Sequence, residues 1–85
     1  MKPIIPIIHQ NGTHPDRLIK ALTDFRYEVS TLKDKLGTIS PNGRDYYQDP
    51  GRMNLAVEQH QRRAKVLKDL LAELDAEILG IMKQC

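Results

Sequence analysis

A seam of residues spaced by alternating steps of four and three dominates the last part of the chain: Met53, Val57, His60, Ala64, Leu67, Leu71, Leu74, Ile78 and Ile81. Such spacing places side chains in one stripe along a helix, with coiled-coil character. Asp49 suits the cap and Pro50 the first helical position. Gly80 is the only later weak point. The helix should reach roughly 50 Å. It cannot bury that stripe alone, so the rest of the chain, or another chain, must cover it.

A second, shorter repeat precedes it. Leu18, Leu22, Phe25, Val29, Leu32 and Leu36 again step by four and three, and Gly37 is a plausible stop. Thr13 and Asp16 resemble a capping box, and Pro15 is tolerated in the first turn. Before this helix, Pro3 and Pro6 rule out helix and leave an extended arm carrying Ile4, Ile5, Ile7 and Ile8. Such an arm should dock on an apolar surface, either the end of the long helix or a neighbouring subunit. The expected organisation is one domain over residues 1–85: arm 1–12, helix 13–37, loop 38–49, helix 50–84.

The two repeats can be laid against each other as an antiparallel, coiled-coil-like two-helix hairpin, an all-α fold. The register that fits sets Leu36 at Met53, Leu32 at Val57, Val29 at His60, Phe25 at Ala64, Leu22 at Leu67 and Leu18 at Leu71. Charges suit this register, with Arg17 and Lys20 near Asp69 and Glu73, Asp24 near Lys65, and Glu28 near Arg62 and Arg63. The long helix then overhangs at its C-terminal end, where the arm can cover it. Leu55, Val66, Leu70 and Leu79 lie off the seam. So wide an apolar face predicts a helical-bundle oligomer.

Composition narrows the function classes. Thirteen Lys and Arg stand against eleven Asp and Glu, a near balance that argues against a dedicated nucleic-acid binder. The basic run Arg62, Arg63, Lys65 and Lys68 reads as a solvated helix face, flanked by acidic residues at 58, 69 and 73. One cysteine, Cys85, allows no internal disulfide, and no apolar run spans a membrane, so the expected location is the cytoplasm. Asn11-Gly12-Thr13 fits a glycosylation sequon, with no secretion signal to give it meaning. Ser30 and Ser40 lack a nucleophile elbow, and no phosphate-binding glycine loop appears. His9, His14, His60 and Cys85 fit no zinc spacing. No enzyme, metal site or cofactor is therefore expected, and His60 reads as a partly buried histidine with a hydrogen-bond partner.

The loop departs from scaffold. Pro41-Asn42-Gly43 signals a turn, followed directly by Arg44, Asp45, Tyr46 and Tyr47. Tyrosine offers a stacking face and a hydroxyl, and arginine a planar fork for phosphate or carboxylate. Three readings fit: a tyrosine plugging the hairpin's open end with Arg44 and Asp45 paired beside it, a protein interface, or a site for a small anionic ligand.

The Asn11 to Thr13 turn and the Pro41 to Tyr47 stretch resemble small uncharacterised helical proteins encoded by phages and prophages. The resemblance covers most of the chain through short motifs. It implies a phage accessory protein acting in the host cytoplasm, of a kind that often counters host defences, and brings no activity with it. The function expected is non-enzymatic: an oligomer that sequesters a nucleotide-like anion through Asn42, Gly43, Arg44, Asp45, Tyr46 and Tyr47. The alternative is an inhibitor or adaptor that binds a host protein through the same loop or an apolar helix face.

Overall fold

The computed structural model describes residues 2–85, and no strand occurs among them. Two helices, α1 (Pro15–Lys35) and α2 (Pro50–Met82), pack against each other in a rod 63 × 20 × 16 Å. Asp49 caps α2, its Oδ1 accepting from the Arg52 N–H at 3.1 Å, with Pro50 next. α1 begins one residue later than the Thr13 cap predicted. His14 is the cap, and its Nδ1 accepts from the Asp16 N–H at 3.2 Å. At the other end α1 tightens into a 3-10 turn, Leu36–Ile39, so Gly37 does not stop it through a left-handed conformation.

The seam of α2 is formed by the nine residues of the repeat. Each is at least half-buried, and Leu74 and Ile81 are fully so. α1 differs from expectation. Its inner face runs through Leu18, Leu22, Arg26 and Val29, with Ile19 and Ser30 beside them, while Phe25 and Leu32 are 53% and 55% exposed. The helix is rotated so that the aliphatic stem of Arg26 lies where Phe25 was expected. Arginine can cover apolar surface with its stem while its guanidinium reaches a polar partner. That partner is Asp75, which accepts from both Nε and Nη2.

The same pair corrects the register. Arg26 reaches Asp75, where the predicted alignment set it near Arg63. His60 meets Ser40 at 3.3 Å, not Val29. The predicted cross-helix charge pairs are replaced by pairs within a helix, Lys20–Asp24 at 2.7 Å and Lys65–Asp69 at 2.6 Å. α1 has slid roughly three turns along α2. The C-terminal half of α2 therefore lies under α1, and the overhang is at its first turns, where the loop folds back on it.

The arm takes the other side of the C-terminal end. Ile8 donates its N–H to Gln84 Oε1 at 2.9 Å, and Gln84 Nε2 donates to the Pro6 carbonyl at 2.8 Å. Ile5 lies across Gly80, where an added Cβ would meet it at 3.0 Å. A side chain at 80 would push that of Ile5 aside, so glycine suits the close approach here. Between α1 and the arm, Ile81 is completely buried. Burying such a side chain contributes about 1.5–3 kcal/mol, and among the described residues only Val29 and Leu74 join it in the core.

Candidate functional site

Asn42 shapes the loop. Its side-chain Oδ1 accepts from the Arg44 N–H at 3.0 Å and its carbonyl from the Asp45 N–H at 3.0 Å, winding Gly43–Asp45 into one 3-10 turn. Gly43 has no positive φ and open space around it, so the turn rests on Asn42. The chain turns again where Tyr46 accepts the Asp49 N–H at 2.9 Å, delivering Asp49 to cap α2.

Tyr46 is half-buried and borders three open clefts. The first, about 490 Å³, lies between Tyr46 and the early turns of α2, walled by Arg52, Leu55, Gln59 and Arg62. The second, about 450 Å³, runs along Asp45, Tyr46, Tyr47 and Gln48 to Arg52. The third, about 240 Å³, is bounded by Ser40, Asp45, His60 and Arg63. Tyr47 is 75% exposed, its hydroxyl accepting from Gln48 Nε2 at 2.9 Å, so its ring offers a free face. Tyr46 and Tyr47 thus differ, one set into the surface and one standing on it.

The six residues singled out from sequence divide in the same way. Asp45, Tyr46 and Tyr47 border clefts, whereas Asn42, Gly43 and Arg44 border none of them. Arg44 is exposed and forms no ion pair among the described residues, so the pairing with Asp45 is not made. Cations at the clefts come instead from α2: Arg52, whose Nε lies 3.5 Å from Asp49 Oδ2, and Arg62 and Arg63. Arg52 was not among the residues singled out from sequence, and Arg62 and Arg63 read there as a solvated face. The fold-back of the loop brings them to Tyr46. One signal was present: Arg52, Gln59, Arg62 and Arg63 share the first turns of α2, which the loop was long enough to reach.

His60 has its Nε2 near Ser40 and its Nδ1 buried without a partner among the described residues. No cluster of three or more metal-ligating side chains occurs among these residues, and no helix is long and apolar enough to cross a membrane. No family model, curated protein or solved structure matches the chain.

Proposed function

We propose that this chain forms an antiparallel helical hairpin that works as an oligomer and captures a small, flat, anionic, nucleotide-like molecule on its loop face. The observation that carries this reading is the meeting of two tyrosines with Arg52 and Arg62 around adjoining clefts. A planar base stacks on the exposed ring of Tyr47, with Tyr46 as the wall behind it. Arg52 supplies charge-assisted hydrogen bonds to phosphate, each worth about 1.5–3 kcal/mol. Arg44, exposed on the same loop and outside the clefts, closes over the bound phosphate. The motifs at Asn11 to Thr13 and Pro41 to Tyr47 support placing this activity in a phage accessory protein that sequesters a host signal in the cytoplasm. A second reading, an inhibitor or adaptor bound to a host protein, is favoured by the exposed apolar side chains Ile39, Tyr47 and Leu55 around the same loop.

Calorimetry with a panel of linear and cyclic nucleotides tests the first reading. The wild type should give saturable heat with at least one of them. Arg52→Ala and Tyr47→Ala should each weaken binding about tenfold or more, and Arg44→Ala should abolish activity in cells with the fold intact. No heat from any nucleotide, with Arg44→Ala still active, rejects the pocket.

A further inference from the structure

The chain exposes more surface than its mass accounts for. A compact monomer of 9.7 kDa exposes about 5,100 Å², and this one exposes 6906 Å². The excess, about 1,800 Å², is more than the ~800 Å² that one partner contributes to an interface of standard size.

Part of that surface is an apolar strip along one flank of the helix pair. The Arg26–Asp75 pair marks one flank of the joint. Going round each helix in steps of about 100°, Phe25 and Leu32 lie on the opposite flank of α1, and Val66 and Leu70 on the same opposite flank of α2. Phe25, Leu32 and Val66 are each more than half exposed, and Leu70 is half-buried.

Charges on this flank are unpaired and ordered. Arg62 and Arg63 stand on the loop side of Val66, and Glu73 and Glu77 on the arm side of Leu70. None of the four takes part in an ion pair among the described residues. A two-fold axis through the stretch from Val66 to Leu70 sets the arginines of each copy against the glutamates of the other. It also lays the two apolar strips together.

We infer that this flank is the docking surface for a second copy of the same chain, related by a two-fold axis with the rods running in opposite directions. The inference deepens the oligomer in the proposed function, and its test reads mass alone, so it can fail or succeed whatever the loop binds.

Sedimentation at tens of micromolar should show the wild type at twice its chain mass or an even multiple of it. Arg62→Glu/Arg63→Glu and Glu73→Arg/Glu77→Arg chains should each lose the two-fold contact while keeping wild-type helical circular dichroism. Mixed together they should associate again, because every cross-interface pair is then of opposite charge. The double variant Phe25→Glu/Leu32→Glu should be monomeric alone and in any mixture. A monomeric wild type would overturn the proposal and leave the flank to a different partner. Charge variants that stay assembled alone, or that fail to associate when mixed, would overturn it too.

Discussion

Gly80 is where the arm meets α2, and an added Cβ there would meet the Ile5 side chain at 3.0 Å, so Ile5 would have to shift. Replacing it with leucine should lift Ile5 away, cost about 1–3 kcal/mol, and speed proteolytic cleavage within residues 2–9, all readable by melting and timed digestion. Wild-type digestion kinetics in that variant would contradict the contact. The sequence marked Gly80 only as a weak point, because a glycine in a helix does not announce which segment crosses it. Arg26 shows the opposite difficulty. Its position between Leu22 and Val29 makes it a seam residue, yet the steps of four and three run through the neighbouring Phe25. Two stripes on α1 share Leu18, Leu22 and Val29, and only the partner Asp75 decides between them.

At the scale of elements, α2 was legible throughout, because its apolar seam is long, unbroken and capped by Asp49. How α1 lies on it was not. Both helices repeat every three or four residues, so a slide of whole turns keeps apolar groups in contact and costs the sequence pattern nothing. The Arg26–Asp75 pair and the Ser40–His60 contact fix the slide. In a Cys85→Ser background, Arg26→Cys with Asp75→Cys should be bridged within one chain by a short bis-maleimide, and Arg26→Cys with Arg63→Cys should not. The reverse outcome would restore the other register. Within α2, the hydrogen bond from Lys65 holds the Asp69 carboxyl below its usual range, against a smaller opposing effect of burial. Because the folded value is the lower one, the stabilisation is complete above the ordinary aspartate range and is lost as pH falls through the depressed value. Asp69→Asn should therefore lower stability slightly at neutral pH, where the stabilisation is complete, and flatten the acid limb by the same small amount, since the pair is exposed. An identical acid limb in that variant would show that the pair contributes nothing.

For the whole molecule, the loop's fold-back onto the first turns of α2 brings loop and helix side chains together around the clefts. Sequence showed a loop longer than a helical turn-around needs and rich in Arg44, Asp45, Tyr46 and Tyr47, and three of its six proposed residues border the clefts. The helix-borne half, with Arg52 and Arg62, depended on where α1 ends along α2, which the repeats leave open. Three fully buried apolar side chains among the described residues leave much of the apolar surface of a single rod uncovered. Native mass spectrometry of protein purified from cells tests the proposed ligand and the proposed assembly at once. It should show a multiple of the chain mass carrying an additional mass in the nucleotide range, the small mass disappearing in Tyr47→Ala while the multiple remains. Bare polypeptide, or a co-purified host chain in place of the small molecule, would contradict it.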